Sequence, residues 1–408
     1  MSKLVFRNDR DGNSVVVEGG RIVACGAVET PPDGLVLDCA GLRLAPGRVN
    51  AHTHVYSGLA PFGIPAPEPE PENFVQTLER LWWRLDKALD AESFRASARY
   101  YAAESLLRGC TAIIDHHESP NFIEGSLDVL GDACQDLGLR AVVCFGATER
   151  NFGREEARRG LAECERFIRS NTRDLVRGVV ALHASFTVSD ETIKEAGELC
   201  RELDTIMHVH VAEDGADVVD AKERGFEGPL ERLIELDALP KGSILAHGVF
   251  LSAEQIKRVR ERECWMVHNP RSNQGNKVGY SANLGVSDMV GLGTDGYPSD
   301  LEEERRVLFE LGKEHGESEE VLEQRTRGGY RMLADYFQGP FGKLEPGAAA
   351  DVVALEETPD GVRARHVCVA GKLVVRDGKL LTADHDEIVA QGEEQSKRLF
   401  EAMRALPR

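Results

Sequence analysis

Histidines two apart on an extended chain can grip a metal ion together, and such a pair stands at His52 and His54, in Asn50-Ala51-His52-Thr53-His54. Side chains alternate faces along a strand, so both imidazoles point the same way. The apolar run before them, Leu42 to Val49, reads as a strand that ends at a site. Two histidines are half of a tetrahedral site. Three later segments offer the rest, each an apolar strand that stops on polar residues: Ile206-Met207-His208-Val209-His210-Val211-Ala212-Glu213, Ile244-Leu245-Ala246-His247 and Val290-Gly291-Leu292-Gly293-Thr294-Asp295. Imidazole nitrogen and carboxylate oxygen are what zinc or another divalent first-row metal accepts, at ~2.0–2.2 Å.

Elements that would bring these strand ends together recur along the chain. After the first run come Cys110 to Asp115, Arg140 to Phe145, Val179 to His183, Thr205 to Val211, Ser243 to His247, Cys264 to His268 and Val290 to Thr294, with helical patterns between them. Eight strands with crossovers long enough for helices predict an α/β fold, a parallel (β/α)8 TIM barrel. Such barrels gather their functional groups at the carboxyl ends of the strands. Nine of the twelve histidines (52, 54, 116, 117, 183, 208, 210, 247 and 268) fall in these strands or at their carboxyl ends, where random placement would scatter them over helices too.

Both chain ends look different from the middle. Ser14 to Ala24 reads as a hairpin closed at Gly19-Gly20, and Asp351 to Leu355 and Val367 to Lys379 are again short strands with glycine turns. The expected organisation is a small β-sandwich domain formed from both ends, residues 1–44 and 346–408, around a barrel at 45–345. The helical stretch Ile388 to Leu406 is expected to pack on that domain. Residues 56–90 are too long for a plain connection. Their proline-rich half, Pro61 to Pro71, precedes a helix carrying Trp82 and Trp83, and this segment reads as a lid or pocket wall.

Composition excludes several classes. A net charge of −20 would repel a phosphate backbone, which argues against nucleic acid as a partner. No apolar run approaches the ~20 residues that cross a bilayer, and the first nine residues lack a signal-peptide core. Nine cysteines without a Cys-x-x-Cys pair fit neither a disulfide framework nor a zinc ribbon. The reading is a soluble cytoplasmic protein with a small-molecule substrate and no membrane partner.

Taken in order, Pro46-Gly47 before His52-Thr53-His54, His210-Val211-Ala212-Glu213, His247-Gly248, Asn269-Pro270-Arg271-Ser272-Asn273, Thr294-Asp295 and Gly342 to Asp351 resemble the amidohydrolase superfamily, in its metal-dependent deaminase and chlorohydrolase branch. A narrower similarity, to aminohydrolases of the SsnA type, rests on Leu81 to Leu89, Ile114 to Asn121 and Leu182 to Thr187. The resemblance implies His52, His54, His210 and Asp295 as metal ligands, Glu213, His247 and Asp295 as catalytic groups, and His183 as a substrate contact. His208 shares a strand face with His210, yet the family pattern leaves it in a supporting role. Two departures bear on the pocket: Asn269 stands where many relatives have cysteine or serine, and Glu118 where alanine is common in the subgroup.

A single divalent ion, zinc or alternatively ferrous iron, would lower the pKa of a water towards ~7. Binuclear relatives use a lysine at the end of the fourth strand, and Arg177 to His183 contains none. Glu213 is expected to relay the proton, Asp295 to accept a second one, and His247 to stabilise the tetrahedral centre. Trp83, His117, Arg271 and Asn273 complete the expected substrate contacts. The leading reading is a hydrolytic deaminase of a cyclic amidine such as a purine, pterin or triazine. The alternatives are a hydrolase of a formimino compound or cyclic amide, which an exposed Arg271 would favour, and a catalytically silent metal-binding barrel. The family analogy allows a homodimer or higher homo-oligomer.

Overall fold

The computed structural model describes residues 3–28, 34–358 and 361–407. Its centre is built of parallel strands in two sheets. One holds Val176–Gly178, Arg140–Val143, Cys110–Asp115 and Arg48–Thr53 in that order. The other runs Val290–Leu292, Trp265–His268, Ile244–His247, Met207–Val211, Val180–Ala184 and Gly146–Ala147. Helices flank them, and most of the strands are buried along their whole length, which is why they read as unbroken apolar runs rather than alternating ones.

The two sheets meet along both borders. On one, the Val179 amide donates to the Val143 carbonyl at 3.0 Å, between stretches of strand that pair on either side. On the other, Thr53 bridges Asp295 in parallel, and the Thr294 amide donates to the His52 carbonyl at 2.9 Å. Side chains reinforce this border. The Asn50 amide donates to Thr294 Oγ1 at 2.7 Å and Ser299 Oγ at 3.1 Å, while its Oδ1 accepts from the Thr294 amide at 3.0 Å. The strand that carries His52 is thus tied to the last.

The run from Leu42 to Val49 is not one strand. Arg43–Pro46 pairs antiparallel with Val352–Thr358 in a terminal sheet, and the central strand begins afresh at Arg48 and carries His52 within it. Pro46-Gly47 makes the break. A Cβ on Gly47 would sit 2.2 Å from Thr111 Oγ1, so only glycine lets the chain cross there.

The terminal strands form a four-stranded sheet (Arg21–Gly26, Ser14–Glu18, Lys3–Arg7, Gly34–Asp38) and a five-stranded one (Lys379–Leu380, Lys372–Arg376, Gly361–Val369, Val352–Thr358, Arg43–Pro46). Between them lies a separate apolar cluster that includes Phe6, Val15, Ile22, Val352 and Cys368. The hairpin turns at Gly19 and Gly20, both with positive φ, as a two-residue turn of matching twist requires. The C-terminal helix, His385–Ala405, does not pack on these sheets as expected. It lies on the helices Trp83–Ala88 and Ala91–Leu107. Arg84 donates to the carbonyls of Met403 and Leu406 at 2.8 Å, and Arg398 pairs with Asp90 at 2.8 Å. No helix among the described residues is long and apolar enough to cross a membrane.

One buried ion pair joins the terminal strands to the centre. Arg140 Nε and Nη2 donate to the two oxygens of Asp351 at 2.8 and 3.1 Å, and Asp351 also accepts from the Ala370 amide at 2.8 Å. Removing one partner of such a pair strands a buried charge. Asp351→Ala should therefore cost about 3–5 kcal/mol, read as a lowered urea midpoint; an unchanged midpoint would contradict this account.

Candidate metal centre and active-site cleft

The metal-ligand candidates sit in the last residues of strands or just beyond them. The side-chain donors of His52, His54, His210 and Asp295 all lie within 4.8 Å of one another, and all four residues are buried. Asp295 Oδ1 is 3.3 Å from His52 Nε2 and 2.9 Å from His54 Nε2, and His54 Nε2 is 3.1 Å from His210 Nε2.

The hydrogen bonds behind these rings set their tautomers. His54 Nδ1 donates to the His116 carbonyl and His210 Nδ1 to the His183 carbonyl, each at 2.6 Å. Both Nε2 atoms therefore turn lone pairs inward. His52 is held by a longer chain. The Cys144 thiol donates to the Asp115 carbonyl at 3.2 Å, His208 Nδ1 lies 3.6 Å from that sulfur, and His208 Nε2 faces His52 Nδ1 at 2.9 Å. His208 is thus the support of His52, and His52 Nε2 also faces inward as an acceptor. These tautomers aim three imidazole nitrogens and a carboxylate oxygen at one point. That donor set fits a divalent ion.

Beside it stand the groups for proton transfer. His247 Nε2 is 3.6 Å from Glu213 Oε2 and 3.9 Å from Asp295 Oδ1, and its Nδ1 donates to Asn273 Oδ1 at 2.8 Å. Ser272 Oγ donates to Asp295 Oδ2, and Asn276 Nδ2 to Glu213 Oε1 at 3.4 Å. Burial and the neighbouring Asp295 push the Glu213 carboxyl well above the usual range, while burial lowers His247. Ala212, His247 and Asp295 all have positive φ, a conformation uncommon outside glycine. At Ala212 it swings the chain off the strand, so that Glu213 turns into the cleft.

The cleft above this cluster encloses about 610 Å³, mouth included. Its walls include Phe74, Leu78, Trp82, Trp83, Phe186 and Tyr56, with His183, Glu118 and Asn276 among its polar groups. Residues 56–90 supply much of the wall. A π-helical turn, Leu78–Trp82, precedes the helix Trp83–Ala88, and both tryptophans reach the cleft. Such turns cluster at functional sites.

Of the expected substrate contacts, His183 and Trp83 line the cleft. Three others lie elsewhere. His117 is fully buried, stacked on Phe94 with ring centroids 3.9 Å apart, and bonded to Ser119 Oγ at 2.8 Å. Arg271 turns away to Glu304 Oε2 at 2.5 Å and the Pro298 carbonyl at 2.8 Å. Asn273 is enclosed behind His247 and orients it. Sequence reasoning passed over Ser272 and Asn276, which lie on the helix Pro270–Gly275 and at its C-cap, because the turn that aims them is set by packing.

Residues 43–375 match the model of the amidohydrolase family. The 5'-deoxyadenosine deaminase of Methanopyrus kandleri is 30% identical over 389 residues, which cover 87% of this chain and 86% of that protein. This chain belongs to the amidohydrolase family. The amidohydrolase is accordingly a metal-dependent hydrolase of carbon–nitrogen bonds. It is also 30% identical to the 8-oxoguanine deaminase of Pseudomonas aeruginosa, over 83% of this chain and 80% of that one. Its fold is shared with a zinc-bound adenosine deaminase from Xanthomonas campestris (TM-score 0.82, 21% identity, 98% of each chain). It is shared as well with zinc-complexed atrazine chlorohydrolase from Arthrobacter aurescens (TM-score 0.79, 21% identity, 96% of this chain and 100% of that one).

If His208 orients a ligand of this amidohydrolase, His208→Ala should weaken metal affinity about 10–100-fold and leave the fold intact. Competition against a chromophoric chelator reads the affinity; a wild-type value would contradict the role.

Proposed function

We propose that the protein is a hydrolytic deaminase of a cyclic amidine, a planar ring of the purine, pterin or triazine kind. The observation that carries this reading is the placement of Glu213, His247 and Asp295 beside the metal cluster, under a cleft with aromatic walls and, among the described residues, no lysine or arginine in its lining. Flat aromatic walls suit a flat ring. A formimino amino acid would want a cation for its carboxylate, and Arg271 is committed to Glu304. The silent-barrel alternative is disfavoured because Glu213 and Asp295 are both present and face the same space.

His52, His54, His210 and Asp295 would hold one ion, zinc first and ferrous iron second, with no lysine in Val180–Ala184 to bridge another. When bound, the ion supplies the Lewis acidity that makes a water nucleophilic near neutral pH. The chain's own groups do the rest. Glu213 takes a proton from the attacking water and delivers it to a ring nitrogen. His247, oriented by Asn273, steadies the tetrahedral carbon. Asp295 takes the second proton and returns it to the leaving nitrogen, so the C–O bond forms, the C–N bond breaks and ammonia departs. The relatives named for adenine, oxoguanine and triazine rings support this choice of ring.

The proposed architecture is the (β/α)8 TIM barrel formed by the two central sheets, spanning 45–345, with a β-sandwich domain from 1–44 and 346–408. The strand Arg43–Pro46 straddles that boundary and links the two. A cytoplasmic location is part of the same proposal.

Ammonia release from a panel of aminopurines, pterins, triazines and formimino amino acids tests the reading. Glu213→Gln should lower kcat about 10²–10⁴-fold with metal still bound. Asp295→Ala should abolish turnover and lower metal content; full activity in either variant would overturn the assignment.

A further inference from the structure

We propose that Glu118 and His183 act as a paired acceptor that selects rings bearing an N–H or NH2 donor on the edge away from the reacting carbon. This rests on the aminohydrolase reading and names the class of ring within it. Glu118 follows the strand Cys110–Asp115, lines the cleft and is 3% exposed. Its counter-charge comes from a residue outside the cleft lining. Arg150 Nη2 lies 3.2 Å from Glu118 Oε2 and 2.7 Å from Asp86 Oδ2, and its guanidinium sits 4.7 Å from the Trp83 ring centroid. Glu118 Oε1 has no hydrogen-bond partner among the described residues.

Neither neighbouring histidine completes a hydrogen bond to the carboxylate. Thr187 Oγ1 donates to the Ala184 carbonyl at 2.9 Å, so His183 Nδ1 donates to Thr187 Oγ1 at 3.1 Å. That leaves His183 Nε2 as an acceptor, 3.6 Å from Glu118 Oε2. His116 Nε2 lies 3.1 Å from the Leu182 carbonyl, and its Nδ1, 3.4 Å from Glu118 Oε1, makes no hydrogen bond among the described residues. The carboxylate thus has one oxygen met by Arg150 and one left without a donor, beside the ring of His183, and a buried acceptor left unmet is costly. An exocyclic amino group has two protons and can donate to Glu118 and His183 together. A ring nitrogen lone pair on the same edge would add one more acceptor. A site built to bind N–H rejects the analogue that lacks it more strongly than an apolar pocket rejects a change of size.

Matched rings test this: 2,6-diaminopurine against adenine, and melamine against 2-amino-1,3,5-triazine, each pair differing by added amino donors. Equilibrium binding to the zinc-loaded protein is measured alongside ammonia release and metal content. We expect wild type to favour the donor-richer member by about 10- to 100-fold in Kd, as for a hydrogen bond to a charged group. In Glu118→Gln, and in Glu118→Ala if it folds, the ratio should fall to within about 2-fold on the same basis, with one metal per chain retained. Equal binding of both members by wild type, no binding of the donor-rich rings, or a preference that survives in Glu118→Gln would each overturn the proposal. So would two metal ions per wild-type chain falling to one in Glu118→Gln, which would place a second cation between these groups. A binding preference that depends on Glu118 without ammonia from any ring would leave this inference standing and remove the aminohydrolase reading.

Discussion

Four lone-pair-bearing groups held together in a buried space are a repulsive arrangement unless a cation joins them. At His52, His54, His210 and Asp295 the protein enforces that arrangement. Carbonyls from the second and fourth central strands fix two of the rings, and His208 with Cys144 fixes the third. Each ring nitrogen that points outward is tied to backbone or to another buried group, so none can turn to relieve the repulsion. Much of the fold serves this enforcement. The strands bring the groups into register, the ties from Asn50 and Thr53 to Thr294 and Asp295 hold the first strand against the last, and the buried Arg140–Asp351 pair anchors the terminal sheets to the centre.

The chemistry depends on how the strands end. Positive φ at Ala212, His247 and Asp295 departs from the extended backbone where the functional groups begin. Residues in sparsely populated backbone regions persist only where the surroundings over-determine them. Here the surroundings are full: the Ala212 amide donates to Asp217 Oδ2 at 2.7 Å, His247 is held by Asn273, and Asp295 by Ser272. Glu213 and Asp295 share the space beside His247 in consequence, and burial together with the Asp295 charge raises the Glu213 carboxyl above its usual range.

The parts of this legible in the sequence are those set by local pattern. Period-two spacing put His52 with His54 and His208 with His210, and a glycine pair marked the first hairpin. The parts that were not legible are set by what a residue meets across the fold. The Leu42–Val49 run looked continuous because both of its halves are apolar. They belong to different sheets, and the divide at Pro46-Gly47 shows only once Thr111 is seen against the glycine. His117, Arg271 and Asn273 carry the right chemistry at strand ends, but a stacking ring, a buried glutamate and His247 respectively claim them first. The C-terminal helix has an amphipathic pattern that says it packs somewhere, and nothing in that pattern names the surface. Glu118 stood out only as a departure from relatives, because its meaning lies in Arg150, a loop residue thirty-two positions away.

The π-helical turn at Leu78–Trp82 has a bearing on how such an enzyme could diverge. It ends at two adjacent indoles, Trp82 and Trp83, that both line the cleft. Loss of one residue from this turn would restore α-helical winding and rotate everything before it relative to the helix that follows. A single-codon deletion could then exchange one indole for another side chain without disturbing any strand or metal-ligand candidate. The wall of this cleft can drift in evolution while its floor stays fixed.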